Sequence, residues 1–254
     1  MGFAPSKSDS SLFVQTSQTR PISILLYVKD LVIVGADLGE IRRVKSQLVA
    51  SFDMKDLWDL HYFLGIEVIR TPKGILISQR HYALSMLFKF GMAECKCIST
   101  PLDRNVKLRP DSGQACDATL FRQIVGSLIY LTITHPDLSY PLGLINQYMS
   151  QPKAEHLQCA QRILHYVSGT KDRALLYQTG IVEQLVGYTD VDWDGNVGDR
   201  KLAFRFPFSL GSAAIACNSK KQPTVALSST EARYRGAVVA TCESIWMKRL
   251  LKHL

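Results

Sequence analysis

Ile22-Ser23-Ile24-Leu25-Leu26-Tyr27-Val28-Lys29-Asp30-Leu31-Val32-Ile33-Val34-Gly35-Ala36 sets two apolar runs around one charged pair. Ile, Leu, Val and Tyr suit a pleated, mostly buried surface. Each run has the length of a strand and is far too short to cross a membrane. The charged pair Lys29-Asp30 is the natural turn of a β-hairpin. On pattern alone, a buried hairpin with a solvated turn is the simpler reading. A turn that presents an acid is also a common way to hold a metal.

Outward from the hairpin, Asp37 predicts a helix N-cap, with Glu40 placed to reach back. Ile41, Val44, Leu48 and Phe52 then share one helical face, with Arg42, Arg43 and Lys45 facing solvent. Upstream, residues 3–20 are Ser- and Thr-rich around Leu12-Phe13-Val14, which predicts an edge strand and a loop. Downstream, Tyr62 to Arg70 and Gly74 to Ser78 read as a second hairpin closed by Thr71-Pro72-Lys73-Gly74. The period turns helical from Gln79 to Met92. Residues 94–117 carry Pro101, Pro110 and Gly113 and predict a loop.

Three helices are expected near 118–132, 137–150 and 154–168. Pro136 suits a first-turn position and Gly169 a C-terminal cap. Pro141 inside the second predicts a kink or a late start. Strands are expected at Gln184–Trp193, Lys201–Leu210 and Ala213–Asn218. A helix capped by Ser228 or Ser229 then runs from Thr230 to about Lys252. Lys220 and Lys221 are placed in an exposed Ser-Lys-Lys-Gln turn.

The chain has 254 residues, 46% of them hydrophobic, with a net charge of +8 and a pI of about 9.2. That length holds one large domain or two small ones, and the basic balance favours a polyanionic partner. From Ala213 onward there are seven Lys or Arg and two acids. Cys95, Cys97, Cys116, Cys159, Cys217 and Cys242 form no Cys-x-x-Cys, and no His pair completes a zinc spacing. They read as reduced thiols, which suggests a cytoplasmic or nuclear protein. No signal peptide, membrane span or internal repeat is read, and no membrane partner is expected. Met1-Gly2-Phe3-Ala4-Pro5-Ser6 matches a myristoylation pattern.

Tyr27-Val28-Lys29-Asp30 resembles the Tyr-Val-Asp-Asp box of reverse transcriptases from Copia-type LTR retrotransposons. Further blocks are similar to that family, in order along the chain. They are Asp53-Met54-Lys55-Asp56-Leu57 with Tyr62 to Val68, Ile124 to Leu128, Tyr130-Leu131-Thr132, and Arg162 to Leu164 through Gly169-Thr170. Gly187-Tyr188-Thr189-Asp190-Val191-Asp192-Trp193 and Ala226-Leu227-Ser228-Ser229-Thr230-Glu231-Ala232 are similar to its ribonuclease H domain. In the family the Gly2-Phe3 stretch is internal, so the myristoylation match carries no weight.

The resemblance implies an α+β chain in three parts. Residues 1–95 would be the rear of a reverse-transcriptase palm, built of β-hairpins plus a helix. Residues 96–174 would be a helical thumb and connection, and 175–254 a truncated ribonuclease H-like α/β domain. It implies RNA-directed DNA synthesis and hybrid cleavage, both with Mg2+ held by carboxylates. It assigns Asp30 to the polymerase metals, and Asp190 and Glu231 to the ribonuclease H metals. Tyr27, Phe63, Leu64 and Gly65 would touch nucleic acid, with Lys220 and Lys221 adding charge. The expected partner is an RNA–DNA hybrid or duplex, bound weakly and without sequence preference.

The sequence also departs from the pattern. Lys29 stands where the box has its first Asp, replacing a ligand oxygen by a cation. Two like unit charges about 4 Å apart cost on the order of 4 kcal/mol at an effective dielectric near 20. Ahead of Asp30 the only other acid is Asp9. The strand bearing the family's earlier Asp would precede Met1, and further ribonuclease H acids would follow Leu254. Leu202-Ala203-Phe204-Arg205 replaces small polar residues and Gly, and Arg233 replaces an acid. The expectation is a remnant inactive in both reactions, with metal bound weakly at best. A non-enzymatic nucleic-acid-binding module is the competing reading.

Overall fold

The computed structural model describes residues 2–15, 21–103, 106, 108–110, 113–192, 203–222 and 224–254, with the backbone alone at Asp192. Trp193, Lys201, Leu202, residues 16–20 and parts of the 94–117 loop, all used in the sequence reading, lie outside these. The chain forms two compact units. One comprises residues 1–60 and 241–254, the other 61–240. Among the described residues, helices are mixed with three antiparallel sheets. Among the described residues, no helix is long and apolar enough to cross a membrane. All six cysteines are free.

In the first unit, β1 (Ala4–Pro5), β2 (Leu12–Gln15), β3 (Ile22–Tyr27) and β4 (Asp30–Gly35) form a sheet in sequence order. The expected edge strand at Leu12-Phe13-Val14 is therefore interior, because the short β1 covers it. α1 (Leu38–Ser51) is capped by Asp37, whose carboxylate accepts from the Gly39 and Glu40 N–H groups at 2.8 and 3.3 Å. The Glu40 carboxylate pairs with Arg43 at 2.8 Å. Val44 is fully buried and packs with Ile22 and Ile24, while Leu48 flanks them. Phe52 ends the helix and is 60% exposed, so the predicted apolar face is one residue shorter than drawn.

In the second unit, β5 (Tyr62–Phe63), β6 (Ile66–Thr71) and β7 (Gly74–Ser78) form a meander. Thr71 to Gly74 closes the β6–β7 hairpin as read. The single strand read over Tyr62–Arg70 is broken at Leu64-Gly65, a two-residue turn with φ of 50° and 80°. Both values are positive, as in a type I′ turn. The Tyr130 hydroxyl donates to the Leu64 carbonyl and secures this turn. α2 (Arg80–Lys89) follows, and the Glu67 carboxylate accepts the His81 N–H in its first turn at 2.7 Å.

α3 (Ala118–Leu131) is capped by Asp117. The chain between 136 and 148 is a 3-10 turn at Pro136–Leu138, then α4 (Ser139–Ile145), then a second 3-10 turn at Asn146–Tyr148. Pro136 opens the first turn, and Pro141 falls in the first turn of α4, where no intrahelical N–H is needed. The late start follows from that. α5 (Ala154–Thr170) runs past Gly169, which is helical and no cap. A Cβ on Gly169 would lie 2.9 Å from the Cys97 Cβ, so the glycine serves close packing. Phe121, Ile124, Leu128, Leu131, Leu138, Ile145, Ile163 and Leu164 make the fully buried core here.

β8 (Leu175–Gln178) then returns to pair with β7. Beyond it come β9 (Leu185–Gly187), β10 (Asp190–Asp192), β11 (Ala203–Leu210) and β12 (Ala213–Lys221). Phe204, Phe206 and Phe208 alternate inward on β11 and are buried, which is what the departing block Ala203-Phe204-Arg205 provides. The strand read over Gln184–Trp193 is split into β9 and β10, although both keep one register against β11. Pro207 faces the gap. It has no N–H to donate, and only the Tyr188 N–H to Pro207 carbonyl bond remains, at 3.0 Å. α6 (Ser229–Leu251) follows, and the Ser228 hydroxyl accepts from the Glu231 N–H at 3.1 Å. Residues 241–251 of α6 belong to the first unit, where the Trp246 indole donates to the Ser8 carbonyl at 3.0 Å.

Candidate functional site

The β3–β4 turn lies one residue earlier than read. Tyr27 pairs with Asp30, so Val28 and Lys29 form the loop and Asp30 opens β4. Val28 has φ 53° and is the only non-glycine with positive φ in that turn. A positive φ at the first loop position alone is the pattern of a type II′ turn, usually filled by Gly. Tyr27 is 51% exposed, Lys29 is exposed and Asp30 is half-buried. The loop therefore presents a phenol, a cation and one carboxylate. Asp9, the other acid ahead of Asp30, accepts the Ser11 hydroxyl at 2.6 Å and the Ser11 N–H at 2.9 Å. The Ser11 hydroxyl first, then its N–H, holds the Asp9 carboxyl below the usual carboxylate range.

Two-metal chemistry needs several carboxylates converging on the ions. Among the described residues, no group of three His, Cys, Asp or Glu could hold a metal ion. The residues of the Tyr27–Asp30 turn do not fit such a centre, because Lys29 occupies the place beside Asp30.

Asp190 opens β10 opposite Arg205 and is exposed. α6 lies close to this strand because Ala232 is fully buried and Gly236 has no side chain. A Cβ on Gly236 would come within 3.0 Å of Val191 Cγ2. Strand and helix flank an open surface cavity of about 430 Å3 lined by Thr189, Asp190, Val191, Thr230, Arg233, Tyr234 and Ala237, of which Asp190, Arg233 and Tyr234 are exposed. Glu231 is not on its wall. Its carboxylate accepts from the Leu227 N–H at 2.7 Å and from Arg235 at 2.7 and 3.0 Å. The Leu227 N–H and then the Arg235 guanidinium hold the Glu231 carboxyl below its ordinary value. Asp190 thus shares its cavity with Arg233, which sequence reasoning noted as a departure without giving it a role. Thr230, Arg233, Tyr234 and Ala237 recur at helical spacing, and that periodicity was the signal for a common face.

Phe63, Leu64 and Gly65 form the tip of the β5–β6 hairpin. Tyr82 and Tyr130 meet edge to face beneath it with centroids 5.0 Å apart. An added Cβ on Gly65 would touch the Tyr130 ring at 3.5 Å. Tyr130 was read as part of a family block, and its hold on this tip was not legible. Lys220 and Lys221 sit at the end of strand β12, not in a turn. The Lys220 ammonium stands 5.8 Å over the Phe206 ring and remains exposed, whereas Lys221 donates to Gln147 Oε1 at 2.9 Å. Arg205 on the neighbouring strand stacks over the Tyr140 ring at 3.8 Å.

Residues 1–104 match a family model described as "Reverse transcriptase (RNA-dependent DNA polymerase)". The whole chain is 40% identical to the retrovirus-related Pol polyprotein from transposon RE2 of Arabidopsis thaliana, covering 18% of that protein. It is 36% identical to the Pol polyprotein from transposon TNT 1-94 of Nicotiana tabacum, over 95% of this chain and 19% of that protein. An uncharacterized mitochondrial protein of Arabidopsis thaliana is 36% identical over 88% of this chain and 93% of its own length. The chain spans less than a fifth of the Pol polyproteins it matches. No solved structure matches it. Taken with the ordered blocks from Tyr27 to Glu231, these likenesses show that the chain belongs to the Pol polyproteins of copia-type retrotransposons, as a reverse transcriptase-like region.

Proposed function

We propose that the chain is a nucleic-acid-binding derivative of the copia polymerase that neither synthesises DNA nor cleaves hybrids. Residues 1–95 act as the rear of the palm, 96–174 as thumb and connection, and 175–254 as a ribonuclease H-like part. The observation that carries the loss of synthesis is Lys29 in the Tyr27–Asp30 turn, an exposed cation beside the one carboxylate that the loop offers. A divalent ion approaching Asp30 meets a like charge on the adjacent residue. For cleavage, the corresponding observation is Arg233 on the Asp190 cavity while Glu231 is turned to Leu227 and Arg235.

Binding rests on different residues. The net charge is +8 and Lys220 is exposed near Arg205. The β5–β6 tip at Phe63-Leu64-Gly65, held by Tyr130, would lie along the backbone of a hybrid or duplex, where contacts position without reading sequence. Such a protein would act in the cytoplasm or nucleus, where nucleic acid is found. Titration of a labelled RNA–DNA hybrid at low and moderate salt tests the binding. A steep fall of affinity with salt supports it. No binding at tens of micromolar protein, the scale of ordinary non-specific binders, contradicts it.

A further inference from the structure

The cavity between β10 and α6 gathers groups of opposite charge that do not pair with each other. Asp190 and Arg233 both line it, and neither side chain has a hydrogen-bond or ion-pair partner among the described residues. An unengaged guanidinium keeps a planar fork of five donors for a ligand. Thr189 and Thr230 add hydroxyl groups to the same walls. Tyr234 is 72% exposed and brings a ring to the rim. A volume of about 430 Å3 lies within the range of small-molecule sites.

The kind of ligand follows from these groups. Arg233 disfavours a metal ion and favours an oxyanion, which it can hold with two parallel N–H donors. Tyr234 offers a stacking face for a flat ring. Asp190, on the strand side, accepts hydrogen bonds from hydroxyl or amino groups. One moiety carries all three features. We propose that this cavity binds a nucleoside 5′-phosphate, free or at the end of a strand, without a metal ion. Arg233 takes the phosphate, Tyr234 stacks on the base, and Asp190 accepts from a sugar hydroxyl or the base amino group. The site goes beyond the duplex binding described above and uses none of its residues, so either can fail alone.

The test is a backbone NMR titration of the whole chain in EDTA with four probes: AMP, a 5′-phosphorylated adenine dinucleotide, adenosine and inorganic phosphate. AMP or the dinucleotide should shift resonances of residues 189–191 and 230–237 and bind more tightly than adenosine. Tighter binding of AMP identifies the free nucleotide as ligand, and tighter binding of the dinucleotide a strand end. Arg233→Gln should weaken binding about tenfold or more, as expected for a charge-assisted contact. Tyr234→Ala should weaken AMP while leaving inorganic phosphate unchanged, which provides a second variant if Arg233→Gln misfolds. The proposal is overturned if neither nucleotide moves these resonances at about 10 mM, beyond ordinary weak binding. Equal binding by Arg233→Gln, or binding only after metal is added, would overturn it as well.

Discussion

Tyr27 and Asp30 face each other as the last rung of the β3–β4 ladder, and Val28 and Lys29 alone span the loop between them. The loop is tight, and Val28 meets its demand with φ 53°. For a β-branched residue the left-handed region costs roughly 1–2 kcal/mol. Val28 is 87% exposed, so little packing offsets this. Val28→Gly should therefore stabilise the chain by about 0.5 kcal/mol, once the more flexible unfolded chain is allowed for. Urea unfolding of both proteins measures it. A clear loss of stability in the glycine variant would show that the turn is not strained at this position.

Periodicity makes most of the elements legible in the sequence. Ile41, Val44 and Leu48 marked α1, and the Thr71–Gly74 turn marked the β6–β7 hairpin. Errors arose where a backbone detail overrode the apolar pattern. Leu64 adopts a positive φ that leucine rarely takes, and Tyr130, 66 residues away, holds it there. Pro207 interrupts a strand that is otherwise continuous in register, by facing Tyr188 from the partner strand. Gly169 looked like a helix end but clears space for Cys97. At the candidate sites the residue types were readable and their orientation was not. Glu231 carried the motif, yet its carboxylate is bound to Leu227 and Arg235, and Arg233 takes the cavity wall.

His156 gives the fold a pH dependence with a definite sign. It is fully buried at the start of α5 and stacks on Tyr148 with centroids 3.8 Å apart. Its Nδ1 accepts the Lys153 N–H at 3.0 Å, and Nε2 faces the Arg109 carbonyl at 3.1 Å. The imidazole is thus held neutral, with its proton on Nε2. Burial, the largest cause, pushes its pKa below 6.5, against the Arg109 carbonyl and Glu155, which act to raise it. Below pH 6.5 the unfolded chain binds a proton that the folded chain refuses. Stability therefore falls as pH drops from 6.5 toward the lowered folded value, and levels off beneath it. NMR titration of the histidine side chains should show His156 protonating below 6.5. A midpoint at or above that value would refute the assignment.

Lys220 is exposed with its ammonium 5.8 Å over the Phe206 ring, and Lys221 beside it donates to Gln147. Lys220→Ala should lower the salt dependence of hybrid binding by about one phosphate contact. Fluorescence titrations at several salt concentrations provide the slope. A slope identical to that of the unaltered chain would remove Lys220 from the binding surface.

The central claim is that the Tyr27–Asp30 turn no longer supports DNA synthesis, and primer extension on an RNA template tests it most directly. The chain and its Lys29→Asp variant are compared with magnesium and then with manganese. Two-metal chemistry needs several converging carboxylates, and ahead of the turn the other described acid, Asp9, accepts from the Ser11 hydroxyl and N–H. The account predicts no extension by either protein, alongside retained binding of the hybrid. Template-dependent extension by the chain with Lys29 in place would contradict it.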